Sequence, residues 1–260
     1  MEVVITVDEG AAARVVAGIV ERLLRTTDQP VLGLATGSSP LASYRMLVEA
    51  HLAGELSFAG ASAVLLDEYV GLPPGHPQGY RAFIRHHLAD RVDLVPDRLH
   101  GPDVWTDDLA AACVAYDRLL DELGGVDVQV LGIGSDGHIG FNEPGSSLRS
   151  RTRVKTLTST TRADNARFFG SLDEVPRHVV TQGLGTISDA RHLVLVACGS
   201  GKAAPVEAAV EGPVTASCPA SVLQLHPHVT VVVDEAAAAK LANAAYYRET
   251  YAGKPSWQEL

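Results

Sequence analysis

The sequence predicts an α/β fold, in which helices cover a doubly wound, mostly parallel sheet. Short apolar runs alternate along the chain with segments whose apolar residues recur at helical spacing, as in right-handed βαβ crossovers. Of the 260 residues, 46% are hydrophobic but only 5% are aromatic. That balance is typical of small side chains that pack helices closely onto a parallel sheet. We expect a single domain over residues 1–260.

The elements follow in order from the first residues. The apolar run Val3–Val7 predicts a strand, and Asp8 can cap a helix whose apolar positions run from Ala12 to Leu23. The further predicted strands are Pro30–Ala35, Ala63–Leu66, Val126–Ile133, His192–Cys198 and Val229–Val233. The further predicted helices are Pro40–Leu52, Pro77–Leu88, Asp107–Leu123, Ala203–Glu211 and a C-terminal helix from Glu235.

One stretch, Gly145–Thr186, interrupts the alternation. It is rich in Ser, Thr, Arg and Asn, and it contains one short predicted helix near Arg162–Phe169. Residues 151–182 have few apolar side chains with which to anchor themselves, so we expect a polar lid of low local stability over the site. A static, loosely packed connection is the alternative.

Charge and cysteine content limit the classes of partner. The formal net charge of −10 disfavours nucleic acid and anionic membranes, because both attract a basic face. The N-terminus lacks a basic region followed by an apolar run, and no stretch approaches about eighteen apolar residues, so we expect a cytoplasmic protein. The three cysteines are widely spaced, which predicts buried thiols.

Four polar loops follow directly after predicted strands, at residues 36–40, 67–69, 134–138 and 199–202. Ligands of open parallel sheets bind outside the carboxyl ends of the strands, so all four loops can line one crevice. In the first loop, hydroxyls, Gly37 and a proline suited to a helix start predict a nest of backbone N–H groups for phosphate. An ordinary capped turn is the alternative.

Two glycine-containing segments resemble parts of nucleotide-binding motifs. Gly199–Lys202 resembles half of a P-loop, but Val196 and Ala203 break the spacing, so nucleoside triphosphate binding is not predicted. A lysine at a helix start opposes the helix dipole unless an anion sits there, which favours a phosphate contact for Lys202. Gly132–Gly137 matches a dinucleotide pattern, but Pro144 leaves no room for the long helix that should follow.

Acidic and imidazole side chains cluster in two of these loops. Asp136, His138 and Glu143 suit a general acid–base pair or triad, because adjacent negative charge favours the imidazolium form. One histidine with carboxylates is a poor transition-metal set, and a loop histidine without a catalytic role is the other alternative. Asp67 ends an apolar strand, where burial can raise its pKa towards that of a general base; a helix cap is its structural alternative.

Four segments together resemble the glucosamine-6-phosphate deaminase (isomerase) family: Leu66–Leu72, Gly134–Pro144, Ser150–Thr156 and Leu223–Pro227. The resemblance extends from about Pro30 to Glu235. It implies a Rossmann-like fold, no cofactor and an ammonia-releasing hydrolase. Such an enzyme converts glucosamine 6-phosphate and water into fructose 6-phosphate and ammonia by ring opening, C2 proton abstraction, isomerisation and loss of ammonia.

The resemblance also implies residue roles. Asp67 would move the C2 proton, and His138 would open the ring with Asp136 and Glu143 orienting it. The implied phosphate ligands are Thr36, Gly37, Ser38, Ser39, Arg167 and Lys202. Ser146, Arg153 and Lys155 resemble the family's site for its activator N-acetylglucosamine 6-phosphate, which leaves allosteric activation open. Small departures from the pattern are Ser38-Ser39 for Gly-Thr, Ser135 for Asn and Gly140 for Ala.

Alternatives remain within and outside enzymes. A deaminase for galactosamine 6-phosphate or a 6-phosphogluconolactonase-like hydrolase would present a sugar phosphate to the same strand ends. A non-catalytic sugar-phosphate sensor should carry a basic helix-turn-helix segment, and none is apparent in this acidic chain. The expected partner is a small amino-sugar phosphate, and a homo-oligomer is left open.

Overall fold

A parallel sheet forms the centre of the molecule. The computed structural model describes residues 1–255, 257–258 and 260, except for the side chains at positions 160, 164 and 168. Within that range the strands are β1 Glu2–Thr6, β2 Val31–Leu34, β3 Ser62–Leu65, β4 Asp67–Val70, β5 Leu99–His100, β6 Val128–Leu131, β7 Arg153–Thr156, β8 His178–Thr181, β9 His192–Ala197 and β10 Val229–Asp234. Seven of them form the main sheet in the order β1-β10-β9-β6-β2-β3-β5. All neighbours in it pair in parallel.

Helices flank this sheet. The helices in the described residues are α1 Glu9–Thr26, α2 Leu41–Leu52, α3 Tyr80–His87, α4 Leu109–Glu122, α5 Ser159–Asn165, α6 Leu184–Ser188, α7 Ala203–Val210 and α8 Ala244–Ala252, of which α5 lies in the connection between β7 and β8. Asp8 caps α1 as predicted, because its carboxylate accepts a hydrogen bond from the N–H of Ala11 at 2.7 Å. The predicted α/β architecture with a mostly parallel sheet is thereby confirmed, and most element ends fall within a few residues of their predicted positions.

The core consists mainly of aliphatic side chains from the central strands. Every residue of β9 is buried, and the valines of β10 are almost entirely shielded from solvent. Strands buried on both faces read as continuous apolar runs, which is why the sequence indicated them clearly. Cys113 and Cys218 are buried free thiols and Cys198 is partly buried. Among the described residues, no helix combines the length and apolar character needed to cross a membrane.

A second, antiparallel sheet was not predicted. It has the order β4-β8-β7, so the predicted loop 67–69 is in fact a strand that pairs with β8. Both ends of the expected lid, residues 151–182, lie in this sheet, and Val179 and Val180 are fully buried. The expectation that the whole stretch is poorly anchored is therefore wrong. Only residues 157–177, which we call the cap segment, connect the two strands outside the sheet.

The start of the C-terminal helix was also predicted wrongly. Residues 235–240 form turns, and α8 begins at Ala244 rather than at Glu235. Asp234 holds the turns, since its side chain accepts a hydrogen bond from the N–H of Ala237 at 2.7 Å. The Glu211 carboxylate then accepts hydrogen bonds from the N–H groups of residues 242 and 243. Asp234 therefore fixes the turns, and Glu211 fixes the residues just before α8, so that the turns and the helix are separate elements.

Candidate active site

A cavity of about 590 Å³ lies beyond the carboxyl ends of β2, β3, β6 and β9. This is the edge at which the sequence placed a crevice, because each of those strands continues into one of the polar loops. The cavity brings together all the residues predicted for catalysis and phosphate binding. These are Thr36, Gly37, Ser38, Ser39, Asp67, Asp136, His138, Glu143, Arg167 and Lys202.

Asp67 is a buried carboxylic acid on the cavity wall. It is only 5% exposed, and it is the first residue of β4. Burial, reinforced by the negative charge of Glu68, raises the pKa of Asp67 well above its usual range. Gly140 leaves room beside it, since a Cβ atom there would lie 3.6 Å from Asp67 Oδ2. A carboxylate in such surroundings is suited to accept and return a proton.

The neighbouring acid, Glu68, has a structural role, because its carboxylate binds backbone N–H groups. Its carboxylate is 3% exposed and accepts three backbone hydrogen bonds of 2.8–2.9 Å, from the N–H groups of Tyr69, Tyr80 and Arg81. Two of these donors belong to the first turn of α3, whose N–H groups have no partner within the helix. Glu68 therefore joins β4 to the start of α3.

Asp136 and His138 form a hydrogen-bonded pair in the loop after β6. Asp136 Oδ1 lies 2.6 Å from His138 Nδ1 and 3.1 Å from the backbone N of the histidine. An ionised carboxylate can only accept, so Nδ1 carries a proton and, in the neutral imidazole, Nε2 is the acceptor. Gly134 makes room for the ring, because a Cβ atom at that position would lie 2.2 Å from His138 Cε1.

Glu143 is held by the cap segment. It is 9% exposed, and its Oε1 atom accepts hydrogen bonds from Thr161 Oγ1 at 2.5 Å and from Thr158 Oγ1 at 3.4 Å. These hydroxyls, rather than the imidazole of His138, are the hydrogen-bond partners that the structure gives to its side chain. The role implied for Glu143 in orienting His138 therefore stays a prediction.

Two cationic side chains reach the same cavity. Lys202 Nζ donates a hydrogen bond to the carbonyl oxygen of Ile133 at 2.7 Å. Burial, and next the positive charge of Arg167, lower the pKa of Lys202, while Asp136 acts in the opposite direction. Two cations that repel each other in one cleft are stabilised when an anion lies between them.

The predicted phosphate nest lies on the same cavity wall. Gly37 has φ +92°, a backbone conformation that glycine adopts without strain. The loop then enters α2 through Pro40. Ser39 Oγ approaches the end of β6, because a Cβ atom at Gly132 would lie 3.8 Å from it. Lys202 donates a hydrogen bond to the carbonyl oxygen of the next residue, Ile133, so the hydroxyl and the ammonium both lie near the end of β6.

An aromatic wall closes another side of the cavity and was missed by sequence reasoning. Tyr69 packs on Tyr80, Phe141 and Phe169, with ring centroids 4.8, 6.0 and 5.8 Å apart. Tyr80 Oη donates to Tyr69 Oη at 3.2 Å. Four separate segments supply these rings, so no local pattern could have revealed them.

Thr158 was also missed, although the sequence could have indicated it as a helix cap, because threonine is a favoured residue just before a helix.

The residues that resemble an activator site lie apart from the cavity lining. Ser146 is buried, and in the described part of the chain its Oγ atom has no hydrogen-bond partner. Arg153 and Lys155 are on β7, where they pair with Thr181 and Val179. Burial lowers the pKa of Arg153. These three residues do not line the catalytic cavity.

Comparison with known proteins gives consistent matches. Residues 8–232 match the family model of glucosamine-6-phosphate isomerases/6-phosphogluconolactonase. The chain is 58% identical over 261 residues to the glucosamine-6-phosphate deaminase of Beutenbergia cavernae and 57% identical to that of Mycolicibacterium smegmatis, in each case over 100% of both chains.

Solved structures agree in fold. A monomeric glucosamine-6-phosphate deaminase superposes with a TM-score of 0.90 at 40% identity, over 92% of this chain and 100% of that one. The 6-phosphogluconolactonase of Trypanosoma brucei superposes with a TM-score of 0.76 at 19% identity, over 93% of this chain and 98% of that one. The second likeness concerns the fold alone.

Proposed function

The chain belongs to the family of glucosamine-6-phosphate isomerases and 6-phosphogluconolactonases, and on that premise we propose that it is a glucosamine-6-phosphate deaminase. It would convert glucosamine 6-phosphate and water into fructose 6-phosphate and ammonia. The observation that carries the proposal is the convergence in one cavity of buried Asp67, the Asp136–His138 pair and the cations Lys202 and Arg167. The names of relatives that match over their full length support the same activity.

Binding would begin at the phosphate. The hydroxyls and backbone N–H groups of Thr36–Ser39 would receive it, with Lys202 and Arg167 neutralising its charge. A phosphate fixed at one end holds the reacting carbons in register, so part of its binding energy contributes to the rate. Burial, and next the repulsion between the two cations, lower the pKa of Lys202, and an anion bound between them would relieve that repulsion.

Ring opening would use His138. Its Nε2 atom takes the proton of the C1 hydroxyl, the bond between C1 and the ring oxygen breaks, and the imidazolium gives the proton to the ring oxygen, which yields the open-chain aldehyde. Asp136 at 2.6 Å from Nδ1 keeps the imidazole in the tautomer that can accept at Nε2 and stabilises the charge that develops on it. Glu143 completes this polar side of the cavity.

Isomerisation would use Asp67. Its carboxylate removes the C2 proton of the open-chain aldehyde, and the electron pair forms the C1–C2 double bond of an enol whose oxygen takes a proton released by the C2 ammonium group. The Asp67 carboxyl group, after exchange of its proton with solvent, then protonates C1. The product is a C2 iminium that keeps all atoms of the substrate. A base that is protonated and deprotonated in turn works best with a pKa near the operating pH, in line with the raised pKa of Asp67.

Loss of ammonia would complete the reaction. Water adds to the C2 iminium carbon, the C–N bond breaks, and the oxygen of water becomes the C2 carbonyl oxygen of fructose 6-phosphate. We class the enzyme as an ammonia-releasing hydrolase on this consumption of water. We propose that it needs no cofactor, because each step is a proton transfer or an addition of water.

Four further expectations accompany this proposal. We propose that the cap segment closes over bound substrate, that residues 1–260 act as one domain, and that the protein is cytoplasmic. Activation at Ser146, Arg153 and Lys155 would show as a response to N-acetylglucosamine 6-phosphate. A homo-oligomer remains a separate prediction, although the superposed deaminase is described as monomeric.

The test is a substrate panel with ammonia as the readout. Glucosamine 6-phosphate, galactosamine 6-phosphate, unphosphorylated glucosamine and 6-phosphogluconolactone are supplied separately, with hydrolysis of the lactone followed by acid release. We expect ammonia and fructose 6-phosphate in equal amounts from the first substrate. Turnover of the lactone alone would assign the other activity of the family, and turnover of none would contradict an enzymatic role on these sugars.

A further inference from the structure

The cap segment contributes a hydroxyl to the catalytic side of the cavity. Thr161 lies in α5, and its Oγ1 atom is 2.5 Å from Glu143 Oε1. Thr158, the residue before α5, offers a second and longer contact of 3.4 Å to the same oxygen. Glu143 itself belongs to the loop after β6, so the contact joins two separate parts of the chain that both line the cavity.

The local structure orients this hydroxyl. Thr158 Oγ1 accepts a hydrogen bond from the N–H of Thr161 at 3.1 Å and lies 3.0 Å from Thr161 Oγ1. The threonine at position 158 therefore caps α5 and faces the same carboxylate oxygen as Thr161. A buried carboxylate needs hydrogen-bond donors, and a donor placed in a rigid first turn fixes the direction in which it points.

The cap segment also has contacts of its own and one to the aromatic wall. Arg162 donates to the carbonyl oxygens of Leu172 and Val175, within the cap. Phe169 packs edge-on against Tyr69. The first set of bonds holds the cap together. The hydroxyl contact, the rings of Tyr69 and His76 against Phe169, and the burial of Leu157 attach it to the rest of the molecule. If the cap moves away from the cavity as a unit, the hydrogen bond between Thr161 and Glu143 therefore breaks, and the Glu143 carboxylate loses that donor.

We infer that Thr161 is a positioning residue that ties the Glu143 carboxylate to the cap, so that closure of the cap and orientation of Glu143 are one event. The inference deepens the proposed deaminase function and rests on it for the catalytic consequence. The hydrogen bond itself does not depend on which substrate the cavity takes, so it can be tested with the free protein.

The first experiment measures amide hydrogen exchange in residues 157–177 without substrate. Thr161→Val removes the hydroxyl and keeps the side-chain shape, Thr161→Ser keeps the hydroxyl, and Ser159→Ala is the control on the exposed side of α5. We expect exchange to accelerate about tenfold in the valine variant only, since a bond to a charged group is lost. In a Glu143→Ala background the same substitution should add nothing. A valine variant that exchanges like the parent, or the same acceleration in both backgrounds, would overturn the inference.

The second experiment measures deamination kinetics of the same variants. We expect kcat of Thr161→Val to fall by about tenfold while KM changes little, because a misplaced carboxylate affects the transition state more than substrate binding. Thr161→Ser should recover most of the rate, and Ser159→Ala should match the parent. A serine variant as slow as the valine variant would contradict a role for the hydroxyl. If the parent itself releases no ammonia, the proposed function fails, while the exchange experiment still decides the tie between Thr161 and Glu143.

Discussion

Two adjacent acids, Asp67 and Glu68, have opposite surroundings. Side chains alternate between the two faces of a strand, so neighbours in β4 point in different directions. Asp67 lines the cavity with a raised pKa, whereas Glu68 is fully engaged by backbone N–H groups. The sequence Asp-Glu-Tyr-Val indicated Asp67 as the candidate base only through the strand end that precedes it and through resemblance. It could not show that Glu68 holds a helix start.

The first prediction concerns Asp67→Asn. The amide keeps the shape of the side chain but cannot take a proton, so we expect kcat to fall by roughly 10²–10⁴-fold while affinity for a substrate analogue is retained. Steady-state ammonia release and calorimetric binding of the analogue give the two numbers. A variant that keeps a rate near that of the parent would show that another group abstracts the proton.

The second prediction concerns the phosphate. Lys202→Ala should lose charge-assisted hydrogen bonds of about 1.5–3 kcal/mol in kcat/KM for glucosamine 6-phosphate. The rate with unphosphorylated glucosamine should change little, because that substrate has no group for the ammonium to bind. If the variant prefers the phosphorylated sugar as strongly as the parent does, Lys202 is not a phosphate ligand.

The third prediction concerns acid stability. Burial, followed by the charges of nearby His228 and His226, lowers the pKa of His192 to about 3 from an ordinary value of 6.5. Between about pH 3 and 6.5, His192 is therefore protonated in the unfolded chain but neutral in the folded protein. The free energy of unfolding falls as the pH drops through this range, by at most about 1.4 kcal/mol per pH unit. His192→Gln should flatten this dependence in urea unfolding between pH 6.5 and 4.5. An unchanged slope would show that other groups cause it.

At the scale of elements, prediction succeeded where one strand leads directly to the next helix. Runs such as Val229–Val233 are buried on both faces, so their local sequence is continuously apolar and is enough to predict a strand. The antiparallel sheet was missed because β4, β7 and β8 come from distant parts of the chain and pair only in the folded protein. The polar residues around β7 suggested a loose lid, whereas the buried valines of β8 anchor its end.

The fourth prediction concerns the junction between β4 and α3. Glu68→Gln leaves fewer acceptors for the buried N–H group of Tyr69 and the partly buried N–H groups of Tyr80 and Arg81, so we expect the free energy of unfolding to fall by about 1–3 kcal/mol. Urea unfolding measures it. Glu122→Gln, the same change at an exposed position near the end of α4, is the control and should have little effect. Equal stability of the two variants would contradict the capping role.

The fifth prediction concerns the cap segment. Substrate should draw it closed and shield the reacting carbons from bulk water. A non-reactive analogue should therefore slow hydrogen exchange in residues 157–177 and leave β8 nearly unchanged, because that strand is already buried. Equal exchange in the free and bound protein would favour the static connection instead.

At the scale of the whole molecule, the fold collects short polar loops at one edge of an otherwise apolar sheet. The chain is acidic, with a formal net charge of −10, so two cations and the strand-end loops must supply the local attraction for an anionic sugar. Sequence reasoning found the loop residues because each follows a recognisable strand. It missed the aromatic wall and the two threonines, whose roles depend on how the cap segment folds back over the cavity.

The central claim is that this cavity moves the C2 proton of glucosamine 6-phosphate through Asp67 before ammonia leaves. Nuclear magnetic resonance in heavy water follows it directly, by recording hydrogen at C2 of the substrate and deuterium at C1 of the product. We predict that the parent protein forms fructose 6-phosphate labelled at C1 together with ammonia, and that Asp67→Asn leaves the C2 hydrogen in place. Exchange in Asp67→Asn at the rate of the parent, or ammonia released by the parent without fructose 6-phosphate, would contradict the claim.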